Sequence, residues 1–134
     1  MTVFSQLPLQ QAIYETLTAD ATLMGMVEGI FDHVPQATDY PFITIGECSL
    51  RDFSNLQKAG TEAQVTLRVF SREAGRKEAV LIMERITHLL NHASLSVSGQ
   101  TLVDSRFVSS AIVLESDGLT YRGTLAFAVR LREA

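Results

Sequence analysis

Glu84, His88 and His92 recur at four-residue steps. On a helix such steps bring side chains to one face, and imidazoles at i and i+4 can converge on a metal. The Glu that a zincin carries between its histidines is absent, because Leu89, Leu90 and Asn91 fill that gap. The plainer account of polar residues four apart is the solvated face of a helix. Cys48 is the lone thiol, with His33 as a candidate base. Cysteine is also among the most buried residue types. Cys48 lies inside a strand-like apolar stretch with no oxyanion device beside it, so packing is the favoured role. No G-x-S-x-G elbow occurs. The glycines are isolated, and none opens a helix with the spacing a phosphate loop needs. Asp52, Glu62, Asp104 and Glu115 are carboxylates of the kind acid–base catalysis uses, but their spacing pairs none of them. The expectation is a protein that is not an enzyme and uses no cofactor or metal.

The elements that would position these residues can be read from periodicity. Pro8 suits the first turn of a helix, and Leu9, Ala12, Ile13, Thr16 and Leu17 continue it at near-helical spacing to about Thr18. Asp20 can cap a second short helical turn through Met26, which Gly29 ends. Residues 30–34 suit a short strand. Pro41 has no N–H for a ladder and pushes Tyr40 into an extended conformation, so a strand should begin there and run to Leu50. The polar stretch Arg51 to Gly60 reads as a long hairpin loop. In Thr61 to Phe70, Ala63, Val65, Leu67 and Val69 alternate with Gln64, Thr66 and Arg68, the signature of a half-buried strand. The clearest helix spans Gly75 to His92. Its apolar stripe is Ala79, Ile82, Met83, Ile86, Leu89 and Leu90, and Lys77, Glu84 and His88 lie nearly opposite at about 100° per residue. A strand over Thr101 to Leu114 is long enough to need a bulge near Asp104 to Arg106. Asp117-Gly118 signals a tight hairpin turn, and Thr120 to Arg132 alternates as a last strand. The fold expected is α+β: an antiparallel sheet of four or five strands, with one long and one or two shorter helices on one face.

The 134 residues, 46% hydrophobic and 19% charged, suit one domain with its own core. A net charge of −4 with dispersed cations argues against a phosphate-gripping nucleic-acid binder. Absent tryptophan argues against stacking on single strands. One cysteine excludes an intramolecular disulfide and fits a reducing cytoplasm. The N-terminus lacks a secretion signal, and the longest aliphatic run, Ala79 to Met83, is far short of a membrane span.

What remains points to contact surface. Leu81 falls on the otherwise polar face of the long helix. Phe53 and Leu56 sit in the polar loop among Arg51, Asp52, Asn55, Gln57 and Lys58. Long loops often carry function; the competing expectation is that Phe53 and Leu56 fold back onto the sheet edge.

Several segments in order resemble a known family: "LQQAIYETLTAD", "GIFDHVPQATDYPFITIGE", "TEAQVTLRVFSREAGRKEA", "ITHLL" and the closing "DGLTYRGTLAFAVRL". The likeness covers nearly the whole chain. It rests most on Ala19-Asp20, the Tyr40-Pro41-Phe42 elbow, Ser71 followed by Gly75-Arg76, and the last hairpin. These resemble the tail completion, or tail terminator, proteins of phages and gene transfer agents. The resemblance implies a structural protein in a homo-oligomeric ring of six. That ring caps the head-proximal end of the tail tube, stops its polymerisation and meets a neck or stopper protein. It implies DNA passing through the lumen without specific binding, assembly in the host cytoplasm and no membrane. On that view the Arg51 to Gly60 loop and Leu81 are the candidate oligomer or tube contacts. A head–tail stopper in the neck is the nearest alternative; a cellular α+β small-molecule binder or enzyme is the alternative of another class.

Overall fold

The computed structural model describes residues 6–133. The chain runs α1 (Gln6–Thr18), α2 (Ala21–Met24), β1 (Ile30–Phe31), β2 (Phe42–Asp52), β3 (Gly60–Ser71), α3 (Lys77–Leu90), β4 (Gln100–Leu114) and β5 (Tyr121–Glu133). The helices form where the periodicity demands. Leu9, Ala12, Ile13 and Leu17 bury one side of α1, and Ala79, Ile82, Met83, Ile86 and Leu90 bury one side of α3. Asp20 caps α2, its carboxylate accepting the Leu23 N–H at 2.8 Å. The same carboxylate takes a two-pronged hydrogen bond from Arg85 of α3 at 2.6 and 2.8 Å, which ties the short helix to the long one. That arginine pulls the Asp20 pKa down to about 2.

The sheet order is β1-β2-β3-β5-β4. All neighbours are antiparallel except β1 and β2, which run parallel through Ile30↔Ile43 and Phe31↔Thr44. The sheet is therefore mixed, where alternation alone predicts an antiparallel one. The cause is the segment from 32 to 41, which carries the chain back so that β2 starts beside β1 and points the same way. The start of β2 at Phe42, just past Pro41, is as the sequence predicts. Its outer edge there is not merely blunted by proline, because the Glu28 N–H donates to the Pro41 carbonyl and the Ile43 N–H to the Gly29 carbonyl.

Alternating residues of the three inner strands make the core. Ala63, Val65, Leu67 and Val69 of β3 and Leu125, Phe127, Val129 and Leu131 of β5 face α1 and α3 and are buried. Gly123 of β5 is required by close approach: the Met83 thioether of α3 lies where a Cβ would stand. The hairpin at Asp117-Gly118 forms as read, with Gly118 at φ 71°. Asp117 accepts hydrogen bonds from the Leu119 and Thr120 N–H groups, and these hold its carboxyl below the usual range. Among the described residues no helix lies on the opposite face of the sheet.

Several details differ from expectation: β1 ends at Phe31 and not at Val34, α2 ends at Met24 and not at Met26, and α3 begins at Lys77 and not at Gly75. Strand β2 extends through Arg51 and Asp52, because both pair with β3 (Arg51↔Glu62, Asp52↔Thr61), so the loop shortens to residues 53–59. Helix α3 stops at Leu90; His92 takes φ 56° and its N–H donates to the Ser105 carbonyl at 2.6 Å. Strand β4 has two bulges instead of one, each inserting a single residue: Val103 between Leu102 and Asp104, and Val108 between Phe107 and Ser109.

Candidate functional site

The helix-free face of the sheet carries a row of alternating charge. At one level the ladder aligns Arg51 of β2, Glu62 of β3, Arg130 of β5 and Asp104 of β4. Arg51 Nε lies 2.8 Å from one Glu62 oxygen and Arg130 Nε 2.9 Å from the other, while Arg130 Nη1 reaches Asp104 at 3.9 Å. The Arg130 hydrogen bond, with Arg51 adding its charge, holds the Glu62 carboxyl below its usual range. The two ends of the row are open: the Arg51 side chain is 79% exposed, against 14% for Glu62, and Asp104 has only the long contact. Further along the face Arg68 grips Glu47 with two bonds of 2.7 and 3.0 Å, and Arg122 meets Glu115 at 3.1 Å. Exposed pairs of this kind add little stability. What they fix is which charge faces which edge.

One end of the sheet carries the loop of residues 53–59. Phe53 folds back: its ring lies against the guanidinium groups of Arg130 and Arg132, at 4.9 and 5.1 Å. Asn55 organises the tip by accepting from the Gln57 and Lys58 N–H groups at 2.9 and 2.8 Å. Ser54 donates to Asp52 at 2.6 Å. This frame presents Leu56 fully exposed, flanked by exposed Asn55, Gln57 and Lys58. The two expectations for this loop thus divide: Phe53 packs back on the sheet and Leu56 projects. At the opposite end lie the 115–120 turn and Arg72, which stacks on Tyr40 at 4.2 Å and donates to Thr120. Leu81, exposed as its place on the helix predicts, lies toward this second end beside Met26 and Lys77.

The feature that periodicity did not reveal is the exposed apolar surface of β4. This strand lies at the edge of the sheet, and Val103, Phe107, Val108, Val113 and Leu114 along it are all well exposed. Edge strands in isolated proteins are usually guarded by charge, proline or bulges; β4 has two bulges, and the valine inserted at each is exposed. Between β4 and α3 runs an apolar groove of about 400 Å³, lined by Val80, Met83, Glu84 and Thr87 of the helix and Phe107 and Ile112 of the strand. The signal in the sequence was the run "FVSSAIVL", whose apolar residues do not keep to one face.

The residues that could do chemistry do not converge. Glu84 and His88 are exposed on α3, but His92 has left the helix, so the four-residue register that would bring it to them is broken. Among the described residues no three His, Cys, Asp or Glu side chains cluster as a metal site. Cys48 is half-buried against the core, and burial pushes its thiol pKa up, opposite to a nucleophile's need. Glu62 and Asp104 serve the charge row, Glu115 holds Arg122, and Asp52 accepts from Ser54. Among the described residues no helix is long and apolar enough to cross a membrane.

Residues 11–132 match the family model described as tail completion protein gp17. The tail completion protein gp17 of Bacillus phage SPP1 is 27% identical over 117 residues, which covers 87% of each chain. A chain from the virion of a native gene transfer agent particle has the same fold, with a TM-score of 0.89 at 22% identity over 98% of this chain and 99% of that one. The solved structure of bacteriophage SPP1 gp17 gives 0.65 at 24% identity, covering 96% and 95%. The chain belongs to the gp17 family of tail completion proteins, structural components of phage-type tails and not enzymes.

Proposed function

We propose that six copies close into a ring on the head-proximal end of the tail tube, where the ring halts tube polymerisation and joins the tail to the neck. The observation that carries this is the sheet itself: it has an unpaired edge on either side and two chemically different ends. A heterologous contact between unlike edges, repeated around an axis, makes a ring where the rotation closes. With that axis along the strands, one end of the sheet faces the tube and the other the neck. The loop of residues 53–59, with Asn55, Leu56, Gln57 and Lys58 at its tip and Phe53 bracing it, takes the tube side. Arg51 and Asp52, in the strand below, belong to the subunit contact. Leu81 and the 115–120 turn face the neck partner.

The helices then form the outside and the bare sheet face lines the DNA path. Six chains of charge −4 carry −24, and Arg51, Arg68, Arg122 and Arg130 are each held by a carboxylate. With these four arginines neutralised and the net charge negative, sliding of passing DNA is favoured over gripping. Assembly takes place in the host cytoplasm. Mixing the purified chain with uncapped tail tubes and, separately, with portal complexes tests this. Binding at one tube end, seen as a ring in micrographs together with arrested growth, is the expected outcome. Binding to portals alone would move the protein to the neck.

A further inference from the structure

The two longer helices, α1 and α3, cover the four long strands unevenly. Helix α1 lies over the β2 side: Leu9, Gln10 and Ile13 meet Ile45, Gly46 and Cys48, and Gln6 Nε2 donates to the Cys48 carbonyl at 2.9 Å. Helix α3 lies over the middle, and β4 is left bare beside the apolar groove. Strand β4 is antiparallel to β5, β5 to β3 and β3 to β2, so β4 runs opposite to β2. A neighbour repeated about an axis along the strands therefore brings its β2 against β4 in antiparallel sense. Four strands at about 4.8 Å advance the sheet by about 19 Å per copy. Two packed helices at 8–10 Å advance the helical layer by roughly 16–20 Å. The layers keep step, so the neighbour's α1 falls over β4.

We propose that the groove between α3 and β4 receives α1 of the next copy of this chain, and that Asp104 at the same contact meets the next copy's Arg51. The inference rests on the ring reading above and specifies its subunit contact. Leu7 and Tyr14 of α1, 75% and 42% exposed, lie seven residues apart and so on one face of the helix. They are the apolar surface that fills the groove. The charge row supplies complementarity: it ends in an anion on β4 and begins with a cation on β2, so head-to-tail contact continues the alternation unbroken. Area requires the helical layer as well. The part of β2 beyond β1, residues 45–52, spans roughly 26 Å, and a stripe one strand thick along it covers on the order of 130 Å². A stable interface needs about 800 Å² per partner.

The test uses cysteine pairs in a Cys48→Ser background, assembled on tail tubes. Tyr14→Cys with Glu84→Cys places one thiol on each side of the contact, and Arg51→Cys with Asp104→Cys does so on the sheet. Covalent ladders of the chain from each double variant, absent from the single variants, are expected. Rings visible in micrographs without either ladder would overturn this contact and leave the ring standing. Tubes bearing no rings with the unmodified chain would overturn both. Hydroxyl-radical footprinting of the unmodified chain, free and on tubes, decides if the variants fail to assemble. Leu7 and Tyr14 must become protected; unchanged labelling of both on capped tubes would refute the docking of α1.

Discussion

Leu56 offers the cleanest separation of folding from assembly. In the isolated chain its side chain is fully exposed, so Leu56→Ser removes no internal contact. Stability should stay within about 0.5 kcal/mol of the parent. If Leu56 is instead buried against the tube, each subunit loses about 2 kcal/mol of apolar burial. That corresponds to roughly a 30-fold weaker contact per subunit, and six such losses act on one ring. The assay titrates purified protein against uncapped tubes and reads the concentration that stops growth, with a urea melt of the free chain as control. The expected result is an unchanged urea midpoint and a capping concentration raised by at least about 30-fold. Capping at the parent concentration would show that the loop tip does not touch the tube, and the assignment of that end of the sheet would fall with it.

Gly123→Ala should drive a methyl into the Met83 thioether and cost about 1–3 kcal/mol, read as a fall of several degrees in the thermal midpoint. Asn55→Ala removes the acceptor of two loop N–H groups; amide exchange at Gln57 and Lys58 should accelerate while the thermal midpoint barely moves. Asp20 has its pKa lowered from 3.8 to about 2 by Arg85, so its stabilising effect is complete above about pH 4 and lost as pH falls towards 2. The stability gap between the parent and Asp20→Asn, from urea melts at several pH values, should therefore be constant near neutrality and narrow across that acidic window.

The sequence made β3, β5 and α3 legible because each buries one face against one neighbour, so the period of the apolar residues equals the period of the backbone. Ala63 to Val69 is the plainest case. Strand β4 was legible as a strand and opaque as a surface. Two inserted valines shift its alternation twice, so "FVSSAIVL" reads as generically apolar while Val108, Val113 and Leu114 stay outside. The parallel pairing of β1 was hidden because two residues carry no periodicity. The charge row was hidden for another reason: Arg51, Glu62, Asp104 and Arg130 are distant in sequence, and only strand register aligns them. His92 misled because its spacing continued a helix that had already ended. The resemblance to tail completion proteins gave the structural role, but not which edge or groove performs it.

Strand β1 is only two residues long, yet it sits on the outer edge of β2 at one end and nowhere else. On the proposed contact it acts as a doorstop. An incoming subunit cannot ride down β2 past Thr44, and a slip of a single residue would turn its apolar set to the wrong side of the sheet. Sliding of a neighbour towards the start of β2 is thereby blocked. Without such a stop, a head-to-tail chain of subunits is free to climb as it turns and to grow as a spiral; with it, climbing in that direction is blocked, as the proposed ring requires.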